Sequence, residues 1–343
     1  MDLGNRIPLF LGVADDMLVR YIKVEWSPTG TDIEMLSLGT ASFFAQFPPE
    51  LKRRFGKVLV STQDAGLKQV DFGRAAVVNY VADSDLCGGA LDVIEGMVDR
   101  GGGPCFNHPA RVRLTRRHHI SKRLSKLPGL VVPRTALITA SDPDDLIRQV
   151  DAAGISWPVI LRVPGSHGGR DTALAVSAAD VPRALYSIPV GGKPLYVTAF
   201  HDFRDADGLF RKLRLVVVGR RVFARHFVTG AGWSVHAGDR LEGTSETEDA
   251  ILDGFPGSLA MDIEGLALRV ADTLGLDWFG IDCCPRPDGS LLIFEANAAM
   301  DVLANTTRGD PGAVRRISVI HSALVELLLD ASRWRHQGGN VSP

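Results

Sequence analysis

The chain has 343 residues, and with 45% hydrophobic and 23% charged residues its composition is ordinary for a globular protein that buries a sizeable core. A formal net charge of −2 provides no general attraction to nucleic acid or to an anionic membrane. The four cysteines include no CxxC pair, and no apolar run approaches the roughly 18 residues of a membrane span, so a disulfide framework, a zinc site and a membrane protein are not expected. We therefore expect a cytoplasmic protein with no nucleic-acid partner and no membrane partner.

The first third of the chain alternates predicted strands with a predicted helix. Buried strands are expected at 8–14, 57–61 and 76–82, with an uncertain region between the first two. A helix is expected at 87–100 from its apolar spacing, and the three glycines that follow should end it. This alternation indicates an open α/β layer, which we assign to an N-terminal domain of residues 1–127.

No acidic residue occurs between Asp99 and Asp142. A nucleic-acid patch is one interpretation of this window, but interleaved aromatic residues are missing and the whole chain is not basic. A solvated helix face is a second interpretation, and a third is that one or two of the cations bind a phosphate. The cations considered within this window are Arg111, Arg113, Arg116, Arg117, Lys122, Arg123 and Lys126.

A small α+β module is predicted at 128–196. It begins with an extended segment at 129–138 and a helix capped by Asp142, and it continues with two strands on either side of a glycine-rich loop at 164–170. Such a loop can close over phosphates with its backbone N–H groups, although a mobile hairpin without a ligand is an equally good interpretation of these residues alone. It is not a Walker A loop, because the spacing and the Lys-Ser/Thr pair are missing.

The remaining residues, 197–343, are predicted to be mainly antiparallel sheet. Lys212 and Arg214 alternate with leucines in a predicted strand, so both cations project from one face. Cations on a sheet face are normally solvated, but beside an acidic hairpin they suggest a phosphate ligand. The other elements expected here are a long loop at 229–250, helices at 258–275 and from Asp310 to about 333, and a disordered tail at 336–343.

The most informative stretch is 278–300, which reads as two apolar strands around an Asp288-Gly289 turn. That turn places Asp282 opposite Glu295, with side chains about 5 Å apart, and puts Asn297 on the same face. Opposed carboxylates repel, so a cation between them is expected, and oxygen-only ligands suit Mg²⁺ or Mn²⁺ bound together with phosphates. The alternative is a surface hairpin with scattered acids.

The order of these motifs resembles the ATP-grasp superfamily, and within it the ligases of the glutathione-synthase and ribosomal-protein glutamate-ligase type. The resemblance covers residues 76–302 and leaves the first 55 unmatched. It implies an N-terminal open α/β domain, a small α+β lid module and a C-terminal antiparallel-sheet domain. The motifs are GID at 280–282 with EAN at 295–297, the glycine loop at 165–169, and the strand YVTAF at 196–200 before KLR at 212–214.

The resemblance also implies roles for individual residues. Asp282, Glu295 and Asn297 match the metal ligands, and Arg214 matches the catalytic cation that contacts the transferred phosphate. Two departures are Arg162 and Arg117, which stand where the family usually has lysines; Arg keeps the charge but has a bulkier planar head. The implied ATP-binding residues are Arg117, Arg162, Gly165, Ser166, His167, Gly168, Gly169, Ala199, Phe200, His201, Asp202 and Lys212. Among them, Ala199, Phe200 and His201 match the hinge whose backbone reads adenine, and Asp202 could bind the ribose hydroxyls.

The function implied by the resemblance is ligation of a small-molecule carboxylate to an amine, or to a peptide, with ATP and Mg²⁺ or Mn²⁺ as cofactors and an acyl-phosphate as intermediate. A kinase that phosphorylates a small molecule and a non-catalytic nucleotide-binding module are the alternatives. A homodimer is a reasonable expectation for any such chain. Residues near the motifs that could line the substrate side are His226, Trp233, His236, Met300 and Asp301.

Overall fold

The computed structural model describes residues 7–12, 21–27, 30–36, 39, 41, 43–60, 62, 73–189, 192–259, 261–304 and 310–339. In these ranges no helix combines the length and the apolar character needed to span a bilayer. The chain forms a mixed α/β structure with separate sheets in its N-terminal, middle and C-terminal parts.

The N-terminal sheet is parallel, with strand order β4-β1-β5-β6. The three predicted strands are present within it, although the one predicted at 76–82 extends only over Val77–Asn79, and residues 13, 14 and 61 lie outside the described part of the chain. A two-stranded hairpin, β2–β3, lies in the region that the sequence left uncertain. The strands are β1 (Ile7–Gly12), β2 (Tyr21–Ser27), β3 (Gly30–Leu36), β4 (Phe55–Val60), β5 (Val77–Asn79) and β6 (Cys105–Phe106).

Helix α2 (Gly88–Gly101) packs an apolar stripe on this sheet, as its sequence spacing predicts. The stripe consists of Ala90, Leu91, Ile94, Met97 and Val98, all of them buried. The helix ends at Gly102, whose left-handed backbone (φ 66°) lets its N–H donate to the Val98 carbonyl. Three short helices lie before and after it: α1 (Pro49–Lys52), α3 (Pro109–Arg113) and α4 (Arg117–Leu124).

The middle sheet is antiparallel, with strand order β10-β9-β11-β8. The segment at 129–138 is extended as predicted, but its two ends belong to different sheets. Its first strand, β7 (Leu130–Val131), pairs with the C-terminal sheet, and its second strand, β8 (Thr135–Ile138), pairs with the middle one. The other elements are α5 (Pro143–Ala152), β9 (Val159–Arg162), β10 (Thr172–Ala175), α6 (Val181–Tyr186) and β11 (Leu195–Ala199).

The C-terminal sheet has strand order β13-β12-β14-β15-β7. Three details differ from the sequence expectations. The predicted loop at 229–250 contains the start of a helix, and the next helix begins only after Asp262, whose side chain caps it. The last helix ends at Leu328 and not near residue 333. The predicted domain boundaries after residues 127 and 196 stay a prediction. The elements are β12 (Phe210–Val218), β13 (Arg221–Gly230), α7 (Ser245–Asp253), α8 (Ile263–Leu274), β14 (Trp278–Pro285), β15 (Leu291–Asn297) and α9 (Pro311–Leu328).

The prediction of a disordered tail is wrong for residues 336–339. The backbone N–H of Cys105 donates to the His336 carbonyl at 3.1 Å, and the rings of His108 and His336 lie 4.2 Å apart between centroids. The tail therefore packs on the end of the N-terminal sheet, while residues 340–343 lie outside the described part of the chain.

Asn107 joins the N-terminal sheet to the C-terminal one. Its side-chain Oδ1 accepts from the N–H groups of Asp277 (2.8 Å) and Trp278 (3.0 Å), and its Nδ2 donates to the Trp278 carbonyl at 2.7 Å. The residue is buried and has a positive φ of 49°, which Asn tolerates better than most residues. This one side chain provides hydrogen-bond partners for the backbone groups where β14 begins.

We expect Asn107→Ala to lower the free energy of unfolding by about 2–4 kcal/mol, because three buried hydrogen bonds are lost and backbone groups are left unsatisfied. Urea titration measures the change. Asn107→Gly removes the same bonds without strain at positive φ, so it should cost nearly as much. A loss below about 1 kcal/mol in both variants would show that this junction is not important for stability.

Candidate active site

The acidic hairpin has the pairing that the sequence predicts, but a bulge produces it. Asp282 lies opposite Glu295, whereas nearer the turn Cys283 lies opposite Ile293, so Phe294 is an extra residue in β15. The turn is longer than the predicted two residues, since the Arg286 N–H donates to the Ser290 carbonyl. The longer turn shifts the register of β15 against β14 by one residue, which on its own would move Glu295 to the other face of the sheet. The bulge at Phe294 returns Glu295 to the face of Asp282.

A second bulge in the neighbouring hairpin completes a row of polar residues. Arg214 lies opposite His226 in β13, whereas Leu215 lies opposite Ala224, so Arg225 is the extra residue there. Arg214 also pairs with Asp282 in β14. Adjacent strands therefore present one polar row across the sheet, in the order His226, Arg214, Asp282 and Glu295.

Cations neutralise both carboxylates of this row. Arg214 grips Asp282 through two bonds, Nε to Oδ1 at 2.6 Å and a terminal nitrogen to Oδ2 at 2.8 Å, and Lys212 Nζ lies 3.1 Å from Oδ2. Burial opposes ionisation of Asp282, but these charges outweigh it and hold the pKa of the carboxyl well below its ordinary range. Arg117 forms the ion pair with Glu295, whose pKa is likewise lowered against the effect of burial.

Arg162 differs from these cations because no side chain or backbone acceptor in the described part of the chain partners its guanidinium. Burial, and then the charge of Arg117, lower its pKa to about 10. An unpaired guanidinium in a cleft favours an anionic ligand, and a phosphate accepts from its fork with two oxygens.

The same row fits a divalent cation. Asp282 and Glu295 are directly opposed, and the Oδ1 atom of Asn297 is buried without a hydrogen-bond partner. These oxygen donors suit Mg²⁺ or Mn²⁺. Across the described ranges there is no group of three or more His, Cys, Asp or Glu side chains that could hold a metal, so other oxygens would have to complete the coordination.

A cleft of about 1000 Å³, open to solvent, brings most of the predicted site residues together. A second cavity of about 720 Å³ lies beside it and shares Arg117, Arg162 and Glu295. The predicted residues that line the cleft are Arg117, Arg162, Ser166, His167, Gly168, Gly169, Ala199, Phe200, His201, Lys212, Arg214, Trp233, His236, Asp282 and Glu295.

The remaining predicted residues do not line the cleft. Gly165 and Asn297 line the second cavity. Asp202, predicted for the ribose, forms a surface ion pair with Arg204. Of the predicted substrate residues, Met300 is buried against Gly280, where a Cβ would lie 2.4 Å from its sulfur.

Two other predicted substrate residues adjoin Arg214 without lining the cleft. The backbone carbonyl of Asp301 accepts from Arg214 at 3.0 Å. His226 lies next to Arg214 in the polar row, and its pKa is lowered well below the ordinary value by burial and by the Arg214 charge. This imidazole is therefore neutral at physiological pH.

The hinge predicted to read adenine has two of its backbone donors already engaged. The N–H of Ala199 donates to the Arg134 carbonyl and that of Phe200 to the Pro158 carbonyl, both at 2.9 Å. Aromatic residues that the sequence analysis missed, Phe203 and Phe294, line the cleft with ring centroids 4.7 Å apart. Phe294 is the bulged residue of β15, and its orientation could be read from the sequence only by recognising the bulge.

The glycine loop contacts both neighbouring parts of the chain. His167 Nε2 lies 2.7 Å from Asp83 Oδ2, and a Cβ at Gly165 would lie 2.3 Å from a methyl carbon of Leu86. On the other side, a Cβ at Gly169 would lie 2.1 Å from His236 Nε2. Both glycines have positive φ, so close approach and backbone conformation each favour glycine there. The contact with Asp83 was not predicted, because nothing local in the sequence connects residues 84 positions apart.

We expect the His167–Asp83 pair to depend on pH. The hydrogen bond to Asp83 raises the pKa of His167 above its ordinary value of 6.5, so the stabilisation is complete below that value and is lost as the pH rises through the raised pKa. An NMR titration of the His167 ring should show this pKa, and Asp83→Asn should lower it. Asp99→Asn, which removes the carboxylate beside His108, is the matched control. An unchanged His167 titration in Asp83→Asn would contradict the pairing.

Comparison with known proteins identifies the fold. No known family profile matches the sequence. Part of it is similar to N5-carboxyaminoimidazole ribonucleotide synthase of Mycobacterium tuberculosis, with 30% identity over 169 residues, which are 49% of this chain and only 36% of that protein. The chain therefore matches well under half the length of this curated relative.

Solved structures match over most of the chain at low sequence identity. Carboxyaminoimidazole ribonucleotide synthase from Aspergillus clavatus, complexed with ATP, has a TM-score of 0.51 and 14% identity, covering 87% of this chain and 71% of that one. The D-Ala:D-Ser ligase from Enterococcus faecalis has a TM-score of 0.52 and 11% identity, covering 95% of this chain and 99% of that one. At these identities the likeness concerns the fold alone. Together with the motif order, it shows that the chain has the ATP-grasp fold.

Proposed function

We propose that the chain is an ATP-dependent carboxylate–amine ligase that forms an amide or peptide bond through an acyl-phosphate and releases ADP and phosphate. The observation that carries this proposal is the convergence of four cations and two opposed carboxylates in one cleft. The cations are Arg117, Arg162, Lys212 and Arg214, and the carboxylates are Asp282 and Glu295.

Several features of the cleft support ATP as the nucleotide. The glycine loop offers backbone N–H groups beside Arg162, which has no protein partner in the described ranges, and aromatic rings line the same cleft. Among the hinge residues, His201 retains a backbone N–H without a protein partner in the described chain, and we assign it to the adenine. The ATP bound to the Aspergillus protein, which has the same fold, supports a nucleotide in this cleft.

The chemistry follows from the charges of the cleft. A substrate carboxylate oxygen attacks the γ-phosphorus of ATP, giving an acyl-phosphate and ADP; an amine then attacks the acyl carbon, and the C–O bond to phosphate breaks. Arg214 and Lys212 stabilise the charge that spreads over the phosphoryl oxygens, and Arg162 and Arg117 orient the phosphates. When bound at Asp282, Glu295 and Asn297, Mg²⁺ or Mn²⁺ would neutralise further phosphate charge.

The acid and the amine would meet beside the phosphates, where the second cavity adjoins the cleft. Its wall includes Asp83, Asp85 and the hydroxyl-bearing Tyr196, contributed by the N-terminal part and the middle sheet. Trp233 and His236 approach from the C-terminal part. We propose a small-molecule carboxylate and a small-molecule or peptide amine as substrates. A homodimer is expected only because it is the commonest oligomeric state of such proteins.

The reaction class can be tested by measuring ADP release with a panel of amino acids and other carboxylic acids in the presence of Mg²⁺ and hydroxylamine. A ligase produces a hydroxamate, because hydroxylamine captures the acyl-phosphate. A stable phosphoester without hydroxamate would identify a kinase instead. ATP binding without ADP release for any acid would indicate a non-catalytic nucleotide-binding module.

We expect Asp282→Asn and Glu295→Gln each to reduce ADP formation at least about a hundredfold, because each removes a charge that holds the cations and a ligand that fits the metal. Asp288→Asn, in the exposed turn of the same hairpin, is the matched control and should retain activity. Near-normal turnover in both site variants would refute the metal assignment.

A further inference from the structure

The cations of the cleft differ in whether a carboxylate of the protein pairs with them. Arg162 has no partner in the described part of the chain, so it is free to receive an anion. Arg117, Lys212 and Arg214 are instead held on the two carboxylates that fit a metal. The nucleotide-free protein therefore has positive charge where a metal ion would have to enter.

The two carboxylates are not held equally. Asp282 is 4% exposed and is contacted by both Lys212 and Arg214, whereas Glu295 has a single ion-pair partner, Arg117, within the described ranges. The neighbouring Asn297 Oδ1 is buried and unpartnered. Removing one side chain, Arg117, would thus expose a carboxylate next to an unused amide oxygen.

Arg117 is suited to leave Glu295 when an anion arrives. It is the first residue of α4, and it lines both the main cleft and the second cavity. Within the described ranges, its side chain is held only by Glu295 and by one bond to the Phe294 carbonyl at 3.3 Å. Its long side chain can therefore turn toward a phosphate while the helix stays in place, and a phosphate offers a guanidinium two acceptors in the geometry that a carboxylate does.

We propose that Arg117 keeps the metal site closed until the nucleotide binds. On this inference, which rests on the proposed nucleotide site, the phosphates draw Arg117 from Glu295, and the divalent cation then binds to Glu295, Asn297 and Asp282 together with phosphate oxygens. The metal accordingly enters with the nucleotide or after it. The fork of the Arg117 guanidinium can contact Glu295 and the Phe294 carbonyl together.

The test is Mn²⁺ binding followed by the loss of the free-ion electron paramagnetic resonance signal. After subtraction of the Mn²⁺ that the non-hydrolysable analogue AMP-PNP binds in protein-free samples, wild-type protein should bind Mn²⁺ at least tenfold more weakly alone than with AMP-PNP. Arg117→Met should bind Mn²⁺ without nucleotide at least tenfold more tightly than wild type. The double variant Arg117→Met/Glu295→Gln should lose that gain, which assigns the new affinity to Glu295.

Lys122→Met is the matched control, since Lys122 is an exposed cation on the same helix, and it should bind Mn²⁺ as wild type does. Equal Mn²⁺ affinity of wild type with and without AMP-PNP would overturn the inference, and so would a folded Arg117→Met variant without the gain. If that variant fails to fold, the wild-type comparison decides. If AMP-PNP does not bind to wild type, the proposed function fails, while the nucleotide-free comparison of Arg117→Met with wild type still decides the role of Arg117.

Discussion

Two carboxylates held side by side on one sheet are the constraint on which the rest of the site depends. Taking a charge such as Asp282 out of water costs several kcal/mol unless partners of opposite charge replace the solvent. Arg214 and Lys212 supply that replacement, with a forked contact from one and a single contact from the other. Because these cations are two residues apart on a neighbouring strand, the register between β12 and β14 has no freedom to slip.

Both bulges serve the same purpose. Without the extra Phe294, Glu295 would face away from Asp282, and the second bulge occurs at the same level of the sheet, beside Arg214. A bulge weakens the hydrogen-bond ladder locally, so two at one level indicate that the position of side chains matters more there than regular pairing. The ladder continues on both sides of the row, which limits the loss to the site.

The site also depends on parts of the chain that are distant in sequence. Arg117 comes from the N-terminal part, Arg162 from the middle sheet, and the acidic row from the C-terminal sheet. Asn107 fixes the first part to the third, and the glycine loop contacts Asp83 on one side and His236 on the other. The cleft is therefore a property of the assembled chain, because its cations and carboxylates come from three different parts of it.

These dependencies explain which features of the site could be predicted from the sequence and which could not. The opposition of Asp282 and Glu295 was predictable because alternation and a turn signal are local, although the longer turn and the bulge compensate for each other in a way that no local pattern shows. Strands β1, β4 and β5 and helix α2 were likewise predictable from their apolar patterns. The pairing of Arg117 with Glu295 was not, because 178 positions separate them and any of the basic residues near 117 was an equal candidate.

The same limit applies to elements whose place is decided by tertiary contacts. The two-residue strand β7 is too short to assign by pattern, and the tail at 336–339 is polar, yet a backbone bond to Cys105 orders it. The departures at positions 117 and 162, by contrast, become intelligible once the contacts are known. A guanidinium at 117 has two acceptors to reach, a carboxylate and a carbonyl, whereas a guanidinium at 162 has none among the residues that the structure describes. An excess of positive charge that the protein itself does not neutralise is stable only while solvent or an anion faces it, so arginine at both positions is consistent with the proposed phosphate ligand.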